Sequence, residues 1–187
     1  MNVKLEDRAL QKMRLCDENG NETGEIADRK SCHSTPGKKH LAFLVFVINN
    51  KKEFALHKRI ASKVGDSLLD SPVSHVLAGE TLEDAVHRCL KHEYGIEEKL
   101  AVEKHGGFSY DKDYGDGSCE NEYCLVLSVE YDGALVANPG EMDGPIIQMG
   151  VLDSIKVSKE HPEKFEVWFN HAAPIFEASE KAKKYLE

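Results

Sequence analysis

The sequence predicts an α+β (α/β) fold, a mixed β-sheet with helices packed outside it, and three stretches carry the prediction. Residues 41–48, LAFLVFVI, form an unbroken apolar, β-prone run bounded by Asn49-Asn50, as expected of a strand buried on both faces. Residues 81–95 read as one amphipathic helix, with Leu82, Ala85, Val86, Cys89 and Leu90 on a single stripe. From Val151 the periodicity turns helical again, so helices and strands share one chain without segregating into separate units.

Taken in order, residues 1–30 are turn-rich, and Asn19-Gly20 within DENGNETGE favours a hairpin. Residues 32–39 form a loop holding Pro36 and Gly37. The buried strand follows, and Glu53–Arg59 is its partner across the Asn49-Asn50 turn. A short strand ends at His75, and a turn through Gly79 leads into the amphipathic helix. Thr81 suits the N-cap, Asp84 three residues on gives a capping-box pattern, and Gly95 closes the helix. Residues 101–110 and 120–131 are further strands joined by a loop rich in Gly and Asp. Residues 138–150, interrupted by Pro139, Gly140, Gly144 and Pro145, read as loop, and a terminal helix is expected over about 173–186. No repeat, low-complexity tract or linker divides the chain, so residues 1–187 are expected to form one domain.

Composition narrows the function classes. The formal net charge of −9 argues against a nucleic-acid partner, which needs a basic face, but leaves room for a small anionic ligand held by a local cluster of cations. The opening MNVKLEDRAL is too polar for a signal peptide, and no apolar run approaches membrane-spanning length, so no membrane partner is expected. Cys16, Cys32, Cys89, Cys119 and Cys124 are an odd set without regular spacing, which fits reduced thiols in a cytoplasmic protein.

Several polar residues fall where chemistry would need them. Glu93 extends the apolar stripe of the helix by one turn. A carboxylate there is costly unless it meets a cation or donors, although near a helix end it can instead tip out to solvent. His33 and His40 frame the Pro-Gly loop, and His75 ends the strand before the helix. Glu120 and Glu122 are two apart on a strand and share a face continued by Cys124 and Val126, which points that face inward. Paired inward carboxylates need a cation, a shared proton or donors. Imidazole with carboxylate suits Mn²⁺, Mg²⁺, Fe²⁺ or Zn²⁺, and a full set of three histidines and two glutamates would favour an octahedral ion. Taken singly, a Glu-x-Glu is more often a solvated edge and a histidine beside a turn more often an ordinary polar residue.

Gly79-Glu80, Ala85, Arg88, Glu93 and Gly95-Ile96 resemble the Nudix helix, the loop–helix on which Nudix enzymes hold metal-bound diphosphates. The hydrolase form carries further glutamates where this chain has Cys89 and His92. The reduced pattern resembles the type 1 isopentenyl-diphosphate isomerases, which move a proton instead of cleaving a phosphate. The likeness extends over about residues 15–175. It includes His33 followed by His40-Leu41-Ala42-Phe43, Lys58-Arg59 before Ser62-Lys63, Ser71 and His75 before the helix, Tyr110 ahead of Glu120-Asn121-Glu122, and Phe165 with Trp168. The resemblance implies a Nudix fold and a metal site of His33, His40, His75, Glu120 and Glu122 for Mg²⁺ or Mn²⁺ (or Zn²⁺). It also implies a second Mg²⁺ held in part by Glu93 and bridging to a small-molecule diphosphate. Arg29, Arg59 and Lys63 become candidates for the phosphate oxygens, Trp168 for the wall over a tertiary carbocation, and Glu122 with Tyr110 for proton transfer. The bland alternatives are solvated surface cations and an ordinary core tryptophan.

The likeness breaks at one functional position. The family's cysteine two residues before the metal-binding histidine is Val73 here, and valine exchanges no proton at any pH. Cys89, expected to face the core, replaces a second helix arginine, and the family's tryptophan-containing loop is shortened to residues 64–69. Three functions therefore stand side by side: a divalent-metal enzyme isomerising isopentenyl or dimethylallyl diphosphate, a Nudix hydrolase cleaving a nucleoside or isoprenoid diphosphate, and a non-catalytic diphosphate-binding homologue.

Overall fold

The computed structural model describes residues 8, 10–61 and 67–187. Lys63 and half of the shortened loop, residues 64–66, lie outside them. The chain runs β1 (Lys12–Cys16), β2 (Glu22–Asp28), α1 (Arg29–Cys32), β3 (His40–Ile48), β4 (Glu53–Arg59), β5 (Leu69–Asp70) and β6 (Val73–His75). It continues through α2 (Leu82–Tyr94), β7 (Glu103–Asp113), β8 (Cys119–Glu130), β9 (Met142–Gly150), α3 (Val151–Glu160), α4 (Val167–Ala178) and α5 (Lys183–Leu186). The expected hairpin is formed by β1 and β2, with Gly20 at φ +77° in its turn.

β3 is the axis of the sheet, and every one of its residues is buried. It pairs parallel with β8 along its whole length, from His40 opposite Glu122 to Ile48 opposite Glu130, and antiparallel with β6 on its other edge. Successive side chains point to opposite faces, so its apolar run feeds two cores. Phe43, Val45 and Val47 pack with Ala85, Val86, Cys89, Leu90 and Tyr94 of α2. Leu44, Phe46 and Ile48 pack with Phe169, Ala172, Ala173 and Phe176 of α4 and Ile155 of α3. An alternating polar strand would leave one of these helices without a surface to bury against. Each large core side chain buried this way contributes about 1.5–3 kcal/mol.

The helix α2 has the predicted ends. Thr81 sits in extended backbone and its Oγ1 accepts from the Asp84 N–H at 3.1 Å, while the same hydroxyl donates to Asp84 Oδ2 at 2.9 Å. Gly95 stops the helix in the left-handed region at φ +69°, where its N–H reaches the Leu90 carbonyl. A Cβ on Gly95 would also stand 3.0 Å from Val136, so glycine is required on two counts.

Two expectations are corrected. Residues 138–150 are not all loop, because β9 pairs antiparallel with β4. The register jumps from Leu56 opposite Ile147 to Lys58 opposite Asp143, so Gly144 (φ +76°) and Pro145 fall in a bulge, where no ladder N–H is needed. The terminal helix begins earlier, at Val167, and ends at Ala178; Ser179 is extended and α5 is a separate turn. The stripe Trp168, Phe169, Ala172, Ala173 and Phe176 sets the true helix, and Pro174 inside it masks that stripe in the sequence. No helix among the described residues is long and apolar enough to cross a membrane.

Candidate active site and metal cluster

The sheet pairing assembles the polar cluster. Parallel pairing of β3 with β8 sets His40 opposite Glu122, antiparallel pairing with β6 sets Ala42 opposite His75, and β7 sets Tyr110 opposite Glu122. His33 is delivered from the other side by the short turn of α1, which Asp28 caps by accepting from the Ser31 N–H at 2.9 Å. Ligand atoms of His33, His40, His75 and Glu122 all lie within 4.8 Å of one another, and Glu120 Oε2 is 3.3 Å from His33 Nε2.

The imidazoles are oriented from outside. His33 Nδ1 donates to the Arg29 carbonyl at 2.9 Å and His40 Nδ1 to the Lys38 carbonyl at 2.8 Å. A neutral ring that donates from Nδ1 keeps a lone pair on Nε2, the form that binds metals. His40 is fully buried, and its Nε2 makes no hydrogen bond and lies 3.4 Å from Glu122 Oε1. His75 Nε2 lies 2.9 Å from the same oxygen. Burial holds the His33 imidazole down at about 4 and that of His75 at about 3, so both are neutral near pH 7. Burial and the adjacent Glu122 charge push Glu120 up, whereas the His75 hydrogen bond and the neighbouring His40 imidazole hold Glu122 down in spite of its burial.

His75, Glu120 and Glu122 border a cavity of about 300 Å³ whose wall also includes Arg29, Arg59, Arg88, Val73, Cys89, His92, Glu93, Cys124, Glu141 and Trp168. Glu93 is buried and faces this space instead of tipping out to solvent. Cys89 joins the core as expected and also reaches the cavity. Tyr110 donates to Glu122 Oε2 at 2.6 Å, and burial with the Glu122 charge raises its hydroxyl well above the usual range. Arg29 donates to Gln11 Oε1 at 3.2 Å and to His75 Nδ1 at 3.1 Å. Arg59 instead pairs with Asp70 at 2.8 Å and Glu166 at 3.2 Å.

Three further residues, Arg88, Glu141 and Arg8, enter the wall unforeseen, and Asp70 meets it through Trp168. Arg88 holds Glu80 through two hydrogen bonds, at 2.6 and 2.9 Å, and donates to the His75 carbonyl at 2.9 Å, tying α2 to β6. Its place in the helix spacing was visible, but its role was not. Glu141 is buried against His92 Nε2 at 2.8 Å and Arg8. Asp70 accepts from the Trp168 indole at 3.0 Å. Nothing in the local sequence marks Glu141, Asp70 or Arg8.

A NUDIX domain family model matches residues 38–179 of this chain. The chain belongs to the Nudix family. Isopentenyl-diphosphate Delta-isomerase 1 of Photorhabdus laumondii is 33% identical over 152 residues, covering 79% of this chain and 81% of the relative. Isopentenyl-diphosphate Delta-isomerase of Enterobacter sp. is 27% identical over 173 residues, covering 89% and 92%. Within the Nudix family the chain is therefore an isopentenyl-diphosphate isomerase-like protein, and by that membership an enzyme. The crystal structure of DR0079 from Deinococcus radiodurans shares the fold, with a TM-score of 0.65 at 17% identity over 88% of this chain and 98% of that one. In this Nudix protein Val73 lies opposite Leu44 on β6 and presents an isopropyl group to the cavity.

Proposed function

We propose that this Nudix protein is a divalent-metal-dependent enzyme acting on a small isoprenoid-type diphosphate, moving a proton at the substrate's double bond while the diphosphate stays intact. The observation that carries this reading is the 2.6 Å Tyr110–Glu122 hydrogen bond beside the histidine cluster, on a cavity that also exposes Ala42, Phe43, Val73 and Trp168. An acid–base pair facing apolar wall suits carbon chemistry better than attack on phosphorus.

The residues fit a metal ion. A buried, unbonded His40 Nε2, a second imidazole with its outer nitrogen tied to a carbonyl, and two adjacent carboxylates make a donor set that a cation would satisfy. His33, His40, His75, Glu120 and Glu122 would hold Mg²⁺ or Mn²⁺, with Zn²⁺ the alternative, and Glu93 would serve a second Mg²⁺ at the diphosphate. Such ions supply positive charge against the carboxylates and the phosphate oxygens. Glu122 and Tyr110 exchange the proton, Arg29 takes phosphate oxygens, and Arg59 and Trp168 line the substrate. Lys63 is carried as a phosphate contact outside the described residues. All five cysteines are free and buried, which suits the reducing cytoplasm we assign to the protein.

One observation favours hydrolysis as the second reading. His92 and Glu141 form a hydrogen-bonded pair on the α2 side of the cavity next to Glu93, an arrangement able to activate water. Calorimetry separates a metal enzyme from a plain binding domain. Titration with Mn²⁺ is expected to show a tight site that Glu122→Gln loses, followed by isopentenyl diphosphate binding that requires the metal. Absent Mn²⁺ uptake, or equal uptake by the variant, contradicts the reading.

A further inference from the structure

β9 is an outer edge of the sheet, away from the cavity. It pairs with β4 on one side, from Glu53 opposite Gly150 to Arg59 opposite Met142, and among the described residues no strand pairs with its other side. A row of unpaired backbone donors and acceptors is a template for a further strand, and proteins blunt such rows with charge, proline or a bulge. The other long outer strands follow that rule. β2 exposes Glu22 and Glu25, and β7 carries Glu103, Lys104, Asp111, Lys112 and Asp113. The first half of β9 follows it too, with Asp143 and the bulge at Gly144 and Pro145. The second half, Ile146-Ile147-Gln148-Met149-Gly150, has no charge and no proline, and from Ile147 onward it keeps regular register with the buried Phe54, Ala55 and Leu56 of β4. Beside it lies an apolar groove of about 380 Å³ lined by Gly133, Leu135, Ala137, Pro145, Ile146 and Gln148.

We infer that this edge is a self-association surface on which a second copy of the chain docks, β9 against β9, antiparallel and centred on Gln148. Charge selects the occupant. Two copies of net charge −9 repel over most of their surface, and the uncharged 146–150 segment lets them meet without setting like charges face to face. The segment is also complementary to itself. A two-fold axis at Gln148 sets Ile146 opposite Gly150 and Ile147 opposite Met149, so apolar side chains meet apolar neighbours. The exposed Gln148 amide, both donor and acceptor, meets its own copy. The second copy's Ile146 falls on the face that carries the groove, beside Gln148 and Gly150. Such an isologous contact uses one patch twice and closes at two copies. Asp143 lies beyond one end of the segment, and Asp153, whose Oδ2 would stand 3.1 Å from a Cβ on Gly150, lies beyond the other. The two-fold axis turns Asp143 of each copy toward Asp153 of the other, a repulsion that salt relieves.

Sedimentation velocity on the full chain reads the association directly. With rising concentration the mass is expected to climb from 20.9 kDa toward twice that value. The climb should come at lower concentration in about 0.5 M salt than in about 0.05 M. Gln148→Lys and Gln148→Glu each place like charges across the two-fold axis, at an exposed position where circular dichroism should stay unchanged. Either variant alone should dimerise at least about tenfold more weakly than the unmodified chain, and an equimolar mixture of the two should recover the loss, because opposite charges then face each other. That recovery separates the proposed register from association elsewhere on the surface. A chain that stays monomeric at every concentration in both salts overturns the inference and leaves the edge to some other occupant. A dimer indifferent to both variants, or variants that stay monomeric when mixed, overturns it as well.

Discussion

Position 73 places an isopropyl group on a strand whose next two residues, Ser74 and His75, also face the cavity. A proton shift across an allyl unit needs one group to give a proton and another to take one; on the proposed reading Glu122 with Tyr110 fills one place, and Val73 can fill neither. Val73→Cys is nearly isosteric and should shift the melting temperature little, while raising dimethylallyl product at least about tenfold in a direct isomerisation assay. A folded variant with no gain would move attention to Cys89 and Cys124. The histidine cluster makes a second prediction at this scale. His33 and His75 titrate near 4 and 3 in the folded chain, chiefly through burial, against about 6.5 when unfolded. Below pH 6.5 the unfolded chain therefore takes up protons that the folded chain refuses. Stability is complete above that pH and falls on acidification, by up to ~1.4 kcal/mol per pH unit for each histidine, until the folded values are reached. Urea denaturation at pH 7.5 and 5 checks the sign, and a rise in stability toward pH 5 would contradict it. His105, held near 4 by burial and bonded to Ser128 and Ser179, gives a share of this slope that added Mn²⁺ should not alter.

Elements differed in how openly the sequence announced them, and the differences are physical. β3 was legible because burial on both faces leaves no polar residue in the run, and α2 because Thr81 and Gly95 mark its ends locally. β9 was hidden by Gly144 and Pro145, which break a strand pattern yet fit a bulge against β4. α4 was misplaced because the charged residues from 180 onward extend a helical period past Ser179, where the backbone turns out of the helix. The cap itself is testable. Thr81→Ala should cost about 1 kcal/mol in urea denaturation, and Gly95→Ala at least as much, since it combines left-handed strain with the close approach to Val136. A loss of a few tenths in both would mean that packing alone fixes α2.

In the molecule as a whole, a chain of net charge −9 gathers Arg8, Arg29, Arg59 and Arg88 around one cavity shared by the strands and α2. The residues placed at this site from the sequence came from segments with their own marks: histidines framing a loop, a glutamate pair on a strand, a capped helix. Arg8, Asp70 and Glu141, which escaped notice, each meet the site through a distant partner. Arg8 meets Glu141 across 133 positions, Asp70 meets Trp168 across 98, and Glu141 meets His92 across 49. Contacts of that span follow from the closed fold and leave no local signature. The central claim is that this closed fold performs proton chemistry on carbon and leaves phosphorus alone. The most direct measurement is incubation with isopentenyl diphosphate, Mg²⁺ and Mn²⁺ in D₂O, followed by ¹H and ³¹P NMR. Deuterium should enter the isopentenyl unit slowly, with the diphosphate resonances intact and with no incorporation in Glu122→Gln. Conversion of the diphosphate to monophosphate without deuterium in the hydrocarbon would contradict the account and identify a hydrolase.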